Sequence, residues 1–306
     1  MSKTVAVYYA GIPRNNTKSE KTEVLRLFAE GVRKSKDAVI EVWEPKHLVT
    51  DLGVIQGWVH EGSQGTPHLA FRKHVIEKQQ QHGKHTLAVD SNLFLYRDIE
   101  NANQYLRFSL DGVFPTTGCY FNKHVTDIQW NKIKRDLKID LRPWRQQGQH
   151  ILICLQRDGG WSMRGLNVMQ WLHQTIDEIQ KRSKRLIIVR AHPGDRRSKD
   201  YLKLNRPGVM ISRNSLFLDD LHNAWAVITY NSSPGVAAVI EGVPVFVTDP
   251  TPENSQAFEV ANTTLENIED PWMPDREHWI RKTSMSHFSF RDLESGEAWQ
   301  VIREYL

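Results

Sequence analysis

The sequence predicts an α/β protein built from two doubly wound domains, and three observations carry that prediction. Short β-rich apolar runs alternate with helical patterns along the chain, as in residues 4–9 followed by 19–34 and residues 151–155 followed by 166–181. The alternation starts afresh after a polar stretch near the middle, so both halves open in the same way. The 306 residues are about two domains' worth at ~150 residues each.

Taken in order, the run 4–9 ends in the turn 10–16, and helical spacing through Val24, Leu27, Phe28 and Val32 predicts a helix over 19–34. A strand is expected at 39–43, a helix over 68–81, and a strand at 85–89 that stops at Asp90, Ser91 and Asn92. Between Thr126 and Gln149 the chain turns polar, with Lys132, Lys134, Arg135, Lys138, Arg142 and Arg145 in close succession. Residues 141–148 read as the linker, giving domains 1–147 and 148–306. The second half then offers a strand at 151–155, a helix over 166–181, strands at 185–189 and 209–211, and a short helix over 216–223.

The stretch 226–249, AVITYNSSPGVAAVIEGVPVFVTD, is the most informative. Its apolar run breaks at Tyr230 and Asn231, Ser232 or Ser233 caps a helix with Pro234 at the first position, and Gly242 closes it before a second strand. A helix this short between two apolar strands implies a right-handed parallel crossover. The last helix, through Leu293, Trp299, Val301 and Ile302, packs either on its own domain or back on the first.

Charged residues at 25% and hydrophobic ones at 40% exclude a disordered chain. No apolar run approaches the ~20 residues of a membrane span, and the amino terminus lacks the apolar core of a signal peptide, so the chain reads as cytoplasmic. Two cysteines, Cys119 and Cys154, imply reduced thiols and neither a disulfide framework nor a zinc site. Residues 1–149 carry 22 Lys and Arg against 16 Asp and Glu, whereas 150–306 carry 18 against 20. A basic half attracts a polyanion or is simply solvated.

Three strand ends of the second half converge on one edge if its sheet is parallel. They are Gln156, Arg157, Asp158, Gly159 and Gly160, with Arg164 close behind; then Arg190, Ala191, His192, Pro193 and Gly194; and then Tyr230, Asn231, Ser232 and Ser233. Parallel sheets bind ligands beyond the carboxyl ends of their strands, where a helix start offers N–H groups to an anion. Guanidinium groups neutralise a diphosphate through paired hydrogen bonds, and an imidazolium at His192 would donate to a phosphate. Each piece also has a bland reading, as a capped turn or a loop histidine.

His192-Pro193 after a strand, with Ser232-Ser233-Pro234-Gly235 and Gly242-Val243-Pro244-Val245 at matching spacing, resembles the donor domain of GT-B glycosyltransferases, especially those of capsular-polysaccharide synthesis. The resemblance implies two Rossmann-like domains facing a cleft, a nucleotide-sugar co-substrate, and no metal or other cofactor. Donor contacts would come from Gln156, Arg157, Gly159, Arg164, Arg190, His192, Tyr230, Asn231, Ser232, Ser233 and the N–H of Gly235. The family's acidic residue two places after the glycine is Ala237 here, and Glu241 lies too far along the helix, by ~10 Å at 1.5 Å per residue, to replace it. An acceptor base from the first domain is expected at Asp90, with inversion at the sugar carbon.

Acceptor contacts are expected in the basic half, from Gly11, Arg14, Lys18, Arg72, Lys73 and Lys123, with Tyr9, Phe121 and Trp130 placed to stack. In size and charge the chain also resembles bacteriophage enzymes that glycosylate hydroxymethylated pyrimidines, which implies DNA as acceptor and an extruded base. The alternatives are a surface glycan or lipid-linked acceptor, and a non-catalytic nucleotide- or nucleic-acid-binding module.

Overall fold

The structure, a computed structural model, describes residues 1–13, 20–59, 66–90, 92–95, 105–157, 161–163, 165–195 and 200–306. Along the chain run β1 (Thr4–Tyr8), α1 (Glu20–Arg33), β2 (Ala38–Val42), β3 (Leu52–Gln56), α2 (Pro67–Gln81), β4 (His85–Asp90), β5 (Leu106–Leu110) and α3 (Ile128–Leu137). There follow β6 (His150–Cys154), α4 (Val168–Arg182), β7 (Leu186–Arg190), β8 (Val209–Ile211), α5 (Phe217–Leu221), β9 (Ala224–Thr229), α6 (Pro234–Ile240) and β10 (Val245–Val247). The chain ends with α7 (Glu277–Ser284), β11 (His287–Phe288), α8 (Phe290–Ser295) and α9 (Glu297–Arg303). Two compact units result, the first from Met1–Asn92, Tyr96–Lys138 and Ile280–Leu306, the second from Leu93–Leu95 and Ile139–Trp279.

The first unit holds a six-stranded sheet in the order β11-β5-β4-β3-β1-β2. Strands β1 to β4 pair in parallel, and β5 and β11 are added antiparallel. Successive side chains of a strand face opposite ways, so Val5 and Val7 pack with Val24, Leu25 and Phe28 of α1 on one face. Ala6 and Tyr8 pack with Phe71 and Val75 of α2 on the other.

Three features differ from the expected organisation. The final 27 residues belong to the first unit, and the single last helix is two, broken where Gly296 adopts φ +87°. Gly31 on α1 makes that return possible: a Cβ there would stand 2.0 Å from the Leu293 carbonyl oxygen. The expected linker 141–148 is packed as part of the second unit, with Arg142 and Arg145 donating N–H groups to Ile240 and Gly242 carbonyls at 2.8 and 2.7 Å.

The second unit has a five-stranded sheet, β10-β9-β6-β7-β8, parallel throughout. Strands β6, β9 and β10 are buried apolar runs, and α4 packs Trp171, Leu172, Ile176 and Ile179 against Ile151, Ile153 and Val189. Asn167 caps α4 by accepting the Gln170 N–H at 2.9 Å. Among the described residues no helix is long and apolar enough to cross a membrane.

Candidate functional site

The second unit's sheet reverses its strand order between β6 and β9, because β7 and β8 are laid on one side of β6 and β9 and β10 on the other. Such a reversal opens a crevice at the carboxyl ends of the strands. The ends are level: Cys154 pairs with Arg190 in β7 and with Thr229 in β9. The three loops singled out by the sequence therefore leave one rim side by side.

A buried polar network fixes the middle of that rim. Gln156 accepts the Asn231 N–H at 3.1 Å and donates to the Ser162 hydroxyl at 2.6 Å. The Asn231 side-chain amide donates to the Asp249 carboxylate at 2.7 Å and to the Ser162 carbonyl at 3.3 Å. Asp249, buried after β10, also accepts the Thr251 N–H at 2.9 Å and the Asn254 amide at 3.3 Å. Gln156 and Asn231 thus brace the loops. The sequence reading missed Asp249, whose signal was an acid directly after an apolar strand that borders the rim.

His192 accepts the Gly194 N–H at its Nδ1, at 2.9 Å, which assigns the remaining ring proton to Nε2. Burial and then the nearby Arg157 charge push its pKa down. A neutral imidazole donating through Nε2 replaces the expected imidazolium. The positive charge comes instead from Arg157, an exposed residue whose guanidinium lies 2.7 Å from where a Cβ on Gly194 would stand.

At the third loop the donors differ from those expected. Ser233 is already helical at φ −52° and ψ −33°, and its side chain makes no cap. The Gly235 N–H donates to the Ser232 carbonyl at 3.0 Å, so it is not available to a phosphate. Gly235 serves packing: a Cβ there would meet Val245 at 3.3 Å and Thr229 at 3.5 Å. Among the described residues the N–H groups of Ser232 and Ser233 have no acceptor, and the Ser232 hydroxyl is buried without a partner. Ala237 is fully buried within α6.

Tyr230 faces the core, edge-on to Trp171 with ring centroids 6.2 Å apart. Arg190 pairs with buried Asp220 and donates to the carbonyls of Asn214, Ser215 and Leu216 at 3.0, 2.9 and 3.3 Å. It holds the β8–α5 connection. Gly159 and Arg164 lie outside the described residues.

In the first unit Asp90 ends β4 as expected, but it pairs with Arg107 of β5, whose side chain is buried. Lys73 pairs with Glu77 at 3.7 Å, and Lys123 stands over the Tyr305 ring at 4.6 Å. Lys132 pairs with Asp292 and Glu297, and Arg135 with Asp136. Arg72 is buried with its Nε on the Gly11 carbonyl at 2.7 Å. Among the described residues, each of these cations has a partner within the first unit. Phe121 and Trp130, expected to stack on a base, are core residues; Arg14 and Lys18 lie outside the described residues. No group of His, Cys, Asp and Glu able to hold a metal occurs among the described residues.

Two Rossmann-like units, one around a mixed sheet and one around a parallel sheet, make up the GT-B fold class that the sequence predicted. Two solved structures are similar to the chain over nearly its whole length. The β-Kdo 2,4-transferase of Thermosulfurimonas dismutans KpsC matches at a TM-score of 0.59 and 16% identity, over 92% of this chain and 89% of that one. The β-Kdo 2,7-transferase of the same organism's KpsC matches at 0.52 and 12%, over 99% and 100%. At these identities the likeness is one of fold. No family model and no curated protein sequence matches the chain.

Proposed function

We propose that the chain is a glycosyltransferase that moves a sugar from a nucleotide-sugar to a saccharide hydroxyl, with inversion. The observation that carries this reading is the rim between β6 and β9, where unpartnered donors of Ser232 and Ser233, the Nε2–H of His192 and the Arg157 guanidinium gather on neighbouring loops. Preorganised donors of this kind suit the charge that builds on a leaving phosphate. The solved structures of similar fold are glycosyltransferases by name, which supports the same class here.

In the proposed step the acceptor oxygen attacks the anomeric carbon while the bond from that carbon to the phosphate oxygen breaks. The leaving oxygen keeps the electron pair, and its charge is met by the Ser232 and Ser233 N–H groups, His192 and Arg157. The acceptor proton passes to Asp90, a carboxylate at the end of β4 whose side chain keeps 26% of its surface exposed. A saccharide acceptor is preferred to hydroxymethylated DNA because Lys73, Lys123, Lys132 and Arg135 are engaged within the protein, and phosphate tracking needs a row of available cations.

The test is nucleotide release from a panel of nucleotide-sugars, with saccharide acceptors in one arm and hydroxymethylpyrimidine DNA in the other. Release that depends on the saccharide is the expected result. Release only with DNA overturns the acceptor, and failure of every nucleoside mono- or diphosphate to raise the melting temperature overturns the activity.

A further inference from the structure

The two open sheets end on four edge strands, β2 and β11 in the first unit and β8 and β10 in the second. An edge strand presents backbone N–H and C=O groups that lack a ladder partner, and proteins blunt such edges by shortening, covering or charging them. Three of these edges are blunted. β11 has two residues and β8 three, with the Val209 N–H held by the Arg206 carbonyl at 3.2 Å. β10 is covered by Asn262, which accepts the Val247 N–H at 2.9 Å and gives its own N–H to the Val245 carbonyl at 2.8 Å.

β2 is the exception. Its five residues, AVIEV, include no proline or lysine, and they pair with β1 in an unbroken register. Its one charged side chain, Glu41, is paired with Arg33 of its own chain. The Ala38 N–H bonds to the Lys3 carbonyl at 2.9 Å, so alternation along the strand turns the backbone groups of Ala38, Ile40 and Val42 towards β1 and those of Val39 and Glu41 outward. Nothing among the described residues bonds those outward groups. Beside them Ile40 is 41% exposed, and Trp43, directly after the strand, is 58% exposed.

We propose that β2 pairs antiparallel with β2 of a second copy of this chain, about a two-fold axis through Ile40, so that the two first-unit sheets run on into one. That axis sets Val39 opposite Glu41 of the second copy. Both are outward-facing residues, so each exchanges N–H···O=C bonds with the other. Ile40 then meets Ile40 and Ala38 meets Val42, an apolar ladder on one face of the sheet. Beyond the strand ends the same register brings Lys36 towards Glu44, opposite in sign. Sliding the strands one step either way keeps the bonding parity but sets Asp37 against Glu41, or Glu41 against itself, and like charges directly opposite destabilise a pair.

A strand of another protein would use the same backbone groups, but the match of Ile40 to itself and of Lys36 to Glu44 is a property of this strand facing its own copy. The inference is independent of the glycosyl-transfer reading, because β2 carries none of the residues assigned to that reaction.

The experiment is sedimentation velocity of the full chain over a concentration series, and the expected result is a reversible dimer at micromolar concentration. Ile40→Lys, which sets two ammonium groups on the axis, should weaken the dimer about tenfold or more. Glu41→Pro should weaken it as well, by removing an outward N–H while sparing the bonds to β1; melting curves verify that both variants fold. A disulfide reads the register. The two Ile40 positions form a non-hydrogen-bonded pair, whose Cα atoms stand ~4.5 Å apart, inside the ~4.4–6.8 Å that a disulfide spans. Cys119 is exposed and Cys154 buried, so the background for this arm is Cys119→Ser. There Ile40→Cys should cross-link into a dimer under oxidised glutathione, and Ile128→Cys, at a position 68% exposed on α3, should not. The cysteine arm decides the matter even if the Lys or Pro variant does not fold. A monomer at every concentration, a dimer undiminished in folded Ile40→Lys or folded Glu41→Pro, or cross-linking at residue 40 no faster than at residue 128 overturns the assignment.

Discussion

Ser232→Ala should make the ligand-free protein more stable and the nucleotide complex weaker. The Ser232 hydroxyl is buried at the rim with no hydrogen-bond partner, a condition that costs ~1–3 kcal/mol. Removing one oxygen there changes little else, since that hydroxyl does not cap α6 and the Ser232 carbonyl keeps its bond from Gly235. A gain of ~1 kcal/mol corresponds to a rise in melting temperature of ~2–4 °C for a unit of this size. If the same hydroxyl donates to a leaving phosphate, its loss removes a hydrogen bond to a charged group worth ~1.5–3 kcal/mol. Nucleotide affinity should then fall ~10- to 100-fold. Differential scanning fluorimetry reads the first effect and calorimetry the second. A lowered melting temperature together with unchanged affinity would refute the reasoning, because the hydroxyl would then be structural.

Asp90→Asn should lower kcat by ~10²–10⁴-fold, as expected for loss of a general base, while nucleotide affinity stays the same; unchanged turnover would remove Asp90 from the mechanism. Gly31→Ala should destabilise the first unit by at least ~1–3 kcal/mol, since its Cβ would stand 2.0 Å from the Leu293 carbonyl oxygen, and an unaltered melting temperature would contradict that contact. His287 is fully buried, and burial pushes its pKa down to about 3. The unfolded imidazole takes a proton near pH 6.5 and the folded one does not, so stability is full above that pH and falls as pH drops towards 3. The loss between pH 6.5 and 5 is ~2 kcal/mol; His287→Gln should remove that part of the slope, and urea unfolding at the two pH values checks it.

The second unit was legible because β6, β9 and β10 are buried along their whole length and read as unbroken apolar runs, and the loops that follow β6, β7 and β9 carry their own turn chemistry. The first unit was less so. Strand β5, LRFSL, places Arg107 in a buried position, and a charge in so short a run reads as surface until Asp90 is seen to pair with it. Strand β3, LGVIQ, contains Gly53, which leaves room for Tyr8 and Gln79 at 3.2 Å; the glycine weakens the strand signal while serving the packing. The return of the chain into the first unit depends on partners far away in sequence, such as Asp37, which accepts the Trp299 indole N–H at 2.9 Å and the Arg303 Nε–H at 2.6 Å. Spacing placed Arg190 and Gly235 at the rim correctly. It could not reveal that Asp220 claims the one or that the Ser232 carbonyl occupies the N–H of the other.

The central claim is that the β6, β7 and β9 loops hold the phosphate of a nucleotide. A crystal structure of the protein soaked with nucleoside mono- or diphosphate tests it most directly. The account predicts a phosphate within hydrogen-bond reach of the Ser232 and Ser233 N–H groups and the His192 Nε2, with Arg157 alongside. A nucleotide bound away from that rim, with those donors still unpartnered, would contradict it.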